Sequence, residues 1–176
     1  MENEQARIIE VLQLAVRMEI EGKEFYQKAS QKSSNRLTEE LFQHLANEED
    51  NHRKKFERIY ETFKREQNWP DTEPPSGKGK KLKSLFAEAS KALGDKIKVT
   101  ESELEAIKIA MSMEIESRNL YQSRSEESTF AIEKRFYEAL AGEEREHHLT
   151  LADAYEYLSD PAGWFTKTEH WSLDGA

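Results

Sequence analysis

Four long stretches of the chain place apolar side chains at spacings of three and four, the signature of one buried face of an α-helix. The first stripe is Ile8, Leu12, Ala15, Gly22, Tyr26 and Ala29, and the second is Phe42, Leu45, Phe56, Ile59 and Phe63. The third runs through Ile107, Ala110, Ser117 and Tyr121, and the fourth through Tyr137, Leu140, Leu151, Ala154 and Leu158. These stripes predict helices over about 3–31, 37–67, 100–127 and 130–158, the third opened by a capping box of Thr100 with Glu103. The polar break at 33–35 and the break near 128 are short, which makes each pair of flanking helices antiparallel neighbours.

The middle of the chain reads differently. Trp69, Pro70 and the run DTEPPSGKGKK at 71–81 end the second helix, and residues 82–93 have the pattern of a short amphipathic helix stopped by Gly94. The GKGKK run lacks the spacing of a phosphate-binding loop, so it reads as solvated linker. A connection over about 68–99 is long enough to cross the length of a bundle. The expected architecture is one all-α domain over 1–176, an antiparallel four-helix bundle with a single long crossover between its second and third helices. The tail from 159 to 176 opens with Asp160-Pro161 and Gly163 and is expected to be non-helical. Its Trp164, Phe165 and Trp171 are expected to pack on the bundle or on a second copy, with a cap or docking surface as the functional alternative.

Polar residues interrupt the stripes in a repeated way. MEIEGKEFY at 18–26 returns as MEIESRNLY at 113–121, and LANEEDNH at 45–52 returns as LAGEEREH at 140–147. The offset is 113 − 18 = 95 and again 147 − 52 = 95, so Glu19 matches Glu114, Tyr26 matches Tyr121, Glu49 matches Glu144 and His52 matches His147. Residues three apart share a helix face, so each Glu-x-x-His can aim a carboxylate and an imidazole at one point. With Glu19 and Glu114 the set holds four carboxylates and two imidazoles, all on faces that should be the core. Buried charge is costly unless a metal or partner compensates it, which makes these six residues candidate metal ligands. Glu21, Glu48, Glu116 and Glu143 fall beside the stripes and are expected at the surface.

Composition narrows the function. With 35 acidic residues among 176 and a net charge of −9, the chain is a poor partner for nucleic acid, and two divalent ions would offset four of those charges. There is no Cys, which excludes disulfides, thiolate zinc sites, iron–sulfur clusters and a rubredoxin-type iron within this chain. Electrons for redox chemistry must then come from outside it. Charges run through the N-terminal apolar residues, so that segment reads as neither signal peptide nor membrane span, and a cytoplasmic location is expected.

On these motifs the chain resembles the rubrerythrin family of the ferritin-like superfamily, over roughly 5–67 and 100–158. One Glu on each of two helices plus Glu-x-x-His on the other two is the ligand set known for di-iron and di-manganese carboxylate bundles. The resemblance implies a ferritin-like fold with two iron ions, Glu49 and Glu144 bridging, Glu19 and Glu114 terminal, and His52 and His147 each on one metal. Tyr26 and Tyr121 look like the family's tyrosines that hydrogen-bond ligating carboxylates. Such ligands accept manganese as well as iron. The implied activity is reduction of hydrogen peroxide or oxygen, in oxidative-stress defence, with an external electron-donor protein. The alternatives are a ferroxidase serving iron storage and a metal-free helical interaction bundle. A homodimer is expected, and the long linker permits domain swapping. Two departures stand out: Ser117, matched by Gly22, occupies the place of an additional family Glu, and no rubredoxin domain is present in this chain.

Overall fold

The computed structural model describes residues 2–72, 79–94 and 97–164. Its helices are α1 (Glu2–Lys32), α2 (Arg36–Glu66), α3 (Gly79–Leu93), α4 (Glu101–Glu127) and α5 (Ala131–Ser159). Their ends fall where local chemistry places them. Asn35 caps α2 by accepting from the Thr38 N–H, and Gln67 closes it in the left-handed region at φ 53° with its N–H on the Phe63 carbonyl. Gly94, at φ 63°, follows α3 as expected of a stop residue. The expected capping box at α4 is present in both directions.

Glu103 does more than cap. Besides the Thr100 N–H and hydroxyl, it accepts from the Ser34 N–H at 2.7 Å, the Ser34 hydroxyl at 2.5 Å, Asn35 Nδ2 at 3.1 Å and the Thr38 hydroxyl at 2.8 Å. Burial would raise its pKa, but these donors outweigh burial and bring it down to about 2. One carboxylate thus ties the α1–α2 turn to the start of α4.

α1 packs along α2 and α4 along α5, while α3 lies against α5 and α2. Contacts between the hairpins fix their sense. Tyr26 of α1 bonds Glu114 of α4 while Glu19 bonds Tyr121, so numbering rises on one helix as it falls on the other. His52 with Glu143 and His147 with Glu48 show the same for α2 and α5. The two repeats therefore face each other about an approximate two-fold axis, in the all-α ferritin-like bundle that the pattern predicts.

Two apolar clusters fill the bundle. One holds Tyr26, Leu41, Phe42, Leu45, Ile107, Leu151 and Tyr157, and the other Leu12, Phe56, Phe63, Trp69, Tyr121, Phe136, Tyr137 and Leu140. Each long helix contributes to both clusters, with its site residues between them. A layer of carboxylates and imidazoles is thus sandwiched between two dry cores.

The tail differs from expectation at its start. Pro161–Trp164 form one helical turn, because Asp160 accepts from the Gly163 N–H at 3.0 Å and Pro suits a first helical position. Trp164 packs on the bundle, 5.8 Å from Phe86 and 6.3 Å from Tyr157 between ring centroids. Phe165 and Trp171 lie outside the described residues. Among those described, no helix is long and apolar enough to cross a membrane.

Candidate metal centre

All six residues singled out by the repeat meet in the polar layer. Glu19, Glu114, Glu144 and His147 are 2% exposed or less, with His52 at 3% and Glu49 at 6%. They form two overlapping groups, Glu19–Glu49–His52–Glu144 and Glu49–Glu114–Glu144–His147, with one donor atom per residue lying within 4.8 Å of the others in each group. Glu49 and Glu144 belong to both groups. Glu144 Oε1 stands 3.4 Å from His52 Nδ1 and its Oε2 3.2 Å from His147 Nδ1, so this one carboxylate reaches across the layer. Glu19 Oε2 lies 3.5 Å from His52 Nδ1, and Glu114 Oε2 lies 3.5 Å from His147 Nδ1.

The outer atoms of these side chains are held, and several inner ones are free. Tyr26 donates to Glu114 Oε1 at 2.5 Å and Tyr121 donates to Glu19 Oε1. His52 Nε2 pairs with Glu143 Oε2 and His147 Nε2 with Glu48 Oε2, both at 2.8 Å. Facing inward, Glu19 Oε2, both Glu144 oxygens and the Nδ1 atoms of His52 and His147 have no hydrogen-bond partner. Buried polar atoms are rarely left so. Five orphaned donor atoms converging on one layer, with the chemistry of a carboxylate–imidazole ligand set, fit a pair of metal ions.

Glu48 and Glu143 correct the expectation of surface positions. They are 4% and 8% exposed, while Glu21 and Glu116 are exposed as expected. The reason is the facing of α2 and α5, which turns the position before each site Glu into the seam between them. Each of the two then reaches the imidazole of the opposite repeat. The same crossing applies to the tyrosines, since each holds the carboxylate of the other hairpin. The available signal was spacing, for Glu48 and Glu143 stand four residues before His52 and His147 and so share their faces.

Electrostatics reflect crowding without compensation. Burial, then the charge of Glu19, pushes Glu49 well above the carboxylate range, and burial outweighs His147 to carry Glu114 up to about 7. Burial alone would lower both imidazoles. The charge of Glu19 and the bond to Glu143 hold His52 well above its ordinary 6.5, and Glu114 does the same for His147. Burial also opposes ionisation of Glu48 and Glu143, but their imidazole partners win and lower both. Tyr26 and Tyr121 are raised by burial and by neighbouring carboxylates, so they stay protonated donors.

A small cleft of about 10 Å³, lined by Glu48, Asn51, His52, Lys55 and Glu143, opens beside the centre on the α2–α5 side. The larger surface grooves, at Arg36 and Ser84 and at Gln13 and Tyr60, have none of the six residues in their linings.

Because an outer carboxylate orients a ligating imidazole, Glu143→Gln is expected to weaken one metal site by about 10- to 100-fold. Glu48→Gln should do the same at the other. Chelator competition with cobalt, whose absorption reports each site, measures this, and unchanged affinities in both variants would show that these carboxylates do not set the imidazoles.

No curated protein and no solved structure matches the chain significantly. The rubrerythrin family model matches residues 10–155, a span that takes in all six residues of the centre and both tyrosines. With that match over most of its length and with this buried layer at its middle, the chain belongs to the rubrerythrin family.

Proposed function

We propose that the protein is a non-haem di-iron oxidoreductase that reduces hydrogen peroxide, or oxygen, with electrons from an external donor. The observation that carries this reading is the layer of inward-facing, partnerless ligand atoms in two overlapping sets. Glu19, Glu49, His52 and Glu144 would hold one iron, and Glu49, Glu114, Glu144 and His147 the other. When bound, two irons supply one electron each, the two that a peroxide O–O bond requires as H2O2 + 2H⁺ + 2e⁻ gives 2H2O.

The chain's own residues prepare that chemistry. Tyr121 and Tyr26 occupy Oε1 of Glu19 and Glu114, which leaves Oε2 of each carboxylate for the centre. Glu143 and Glu48 occupy the outer nitrogen of each imidazole, which leaves Nδ1 inward. The two aromatic-rich clusters exclude water above and below. The cleft that reaches His52 is small, about 10 Å³, so access to the centre on the α2–α5 side is narrow. With no Cys in the chain, repeated turnover depends on an electron donor from outside.

Stopped-flow mixing of the di-ferrous protein with each oxidant tests the reading, with faster oxidation by peroxide expected and turnover only when reductant is present. Faster reaction with oxygen, together with iron accumulating well beyond two per chain, would replace it by the ferroxidase reading. Position 117 offers a second arm. Its repeat partner Gly22 sits against the centre, since a Cβ there would lie 3.4 Å from Glu49 Cγ. Ser117→Glu should therefore change the peroxide rate, and normal iron binding with an unchanged rate would show that a carboxylate at 117 is not what limits the site.

A further inference from the structure

Tyr137 breaks the symmetry of the rings around the centre. It stands 95 residues after Phe42, and the two rings do the same packing. Phe42 stacks on Tyr26 at 6.0 Å and 21°, and Tyr137 stacks on Tyr121 at 6.1 Å and 22°. Yet the Tyr137 hydroxyl is buried without a hydrogen-bond partner, on a residue 1% exposed. A stranded hydroxyl costs stability that Phe, the residue of the other repeat, would not. Packing therefore does not account for the oxygen. Next to it, at 5.7 Å between centroids, lies Trp69, 3% exposed and with its Nε1 also unpartnered.

What phenol and indole offer over a benzene ring is easier loss of one electron. Tyr121, Tyr137 and Trp69 form an unbroken series of such rings, beginning at the hydroxyl that bonds Glu19 and ending in the segment that leaves α2. The matching arm in the other repeat runs from Tyr26 to Phe42 and Phe25. Among the described residues, the ring contacts of that arm meet no second Tyr or Trp.

We propose that Trp69, Tyr137 and Tyr121 are a one-electron relay that brings electrons from the α2–α3 linker to the metal centre. This rests on the function proposed above, which requires electrons from outside the chain. Tyr121 would give one electron to an oxidised metal pair held beside it, its phenolic proton passing to Glu19 Oε1, the atom it already bonds. Trp69 gives one electron across Tyr137 to Tyr121, and the proton returns from Glu19. An external one-electron reductant then restores Trp69. The net change is one electron moved from reductant to metal, with no proton left displaced. The Tyr137 hydroxyl makes no hydrogen bond to a base, not even to Glu133, the buried carboxylate one turn before it, so the electron crosses its ring with no proton handed on along a bond. Its oxygen eases the crossing relative to Phe.

The test uses the full chain with zinc in the site, so that it reads the relay and not the reaction with peroxide. Trp164→Phe and Trp171→Phe leave Trp69 as the one tryptophan of the three. A flash-generated ruthenium oxidant in solution removes an electron, and time-resolved absorption separates indole from phenoxyl radicals. This drives the series backwards, an electron passing from Tyr121 across Tyr137 to the indole radical, and reads the coupling through the same rings. The indole radical is expected to decay as a phenoxyl radical rises, and in the working direction the reductant that restores Trp69 draws the opposite, uphill step forward. Tyr121→Phe should abolish that rise and leave the first indole radical intact. Tyr137→Phe should slow the transfer by roughly tenfold or more, the scale of a barrier raised by about 1.4 kcal/mol, in a protein that melts no lower than its parent. Equal transfer in parent, Tyr121→Phe and Tyr137→Phe overturns the relay, and a clear loss of melting temperature in Tyr137→Phe overturns the premise that its oxygen has no structural role. Neither result bears on the peroxide reading, which fails separately in stopped flow.

Discussion

Glu144→Ala is expected to take the protein from about two iron ions per chain to fewer than one, and Glu49→Ala to do nearly the same. Either change removes a residue common to both ligand groups. Glu144 is the stronger case, because its two oxygens lie 3.4 and 3.2 Å from the two imidazoles, whereas those of Glu49 lie 3.7 and 4.0 Å away. Glu19→Ala and Glu114→Ala touch one group each, so each should lose one ion and keep the other. Elemental analysis after iron reconstitution distinguishes these patterns. Loss of a single ion from Glu144→Ala would mean that the carboxylate serves one metal alone, and full occupancy would remove it from the site.

That prediction could be framed from sequence, and the reasons are physical. A long helix that buries one face writes its period into the chain, so the stripes through Leu12, Phe56, Ile107 and Leu151 located α1, α2, α4 and α5 to within a few residues. A charge in such a stripe needs a compensating reason, and the offset of 95 supplied it twice over. Helical phase says which face a residue occupies but not which helix lies opposite. Hence Tyr26 and Tyr121 were found, while their attachment to the carboxylates of the other repeat was not. Glu48 and Glu143 were missed for the same reason. Their match at the offset carried no information, since Glu21 and Glu116 match equally well and remain exposed. Only the seam between α2 and α5 separates the two pairs. The Phe42–Tyr137 difference is likewise visible in the repeat but acquires meaning once Trp69 is seen against it.

Removing the metals is expected to destabilise the protein by more at about pH 8 than at about pH 5. In the metal-free protein the folded centre keeps protons that the unfolded chain releases. Glu114 rises from 4.5 to about 7, Glu49 is also raised well above the carboxylate range, and both imidazoles rise above 6.5. Groups raised in this way stabilise the fold fully below their unfolded values, and that contribution is lost as pH climbs through the folded ones. Glu48, Glu143 and Glu144 are lowered and act oppositely, contributing above the ordinary 4.5 and failing as pH falls through their folded values. The metal-free fold should therefore be most stable in mild acid and weaken through neutrality. Metal takes the place of the Nδ1 and carboxylate protons, so binding should release protons near neutral pH. Affinity then grows with pH just where the metal-free protein weakens. With free metal at about 1,000 times its dissociation constant the gain is about 4 kcal/mol, roughly 8–16 °C in melting temperature for a chain of this size. Calorimetric scans with and without chelator at the two pH values measure the difference, and titration in buffers of different ionisation enthalpy counts the protons. Equal melting temperatures with and without metal at about pH 8 would show that these six residues do not close around an ion in the folded core.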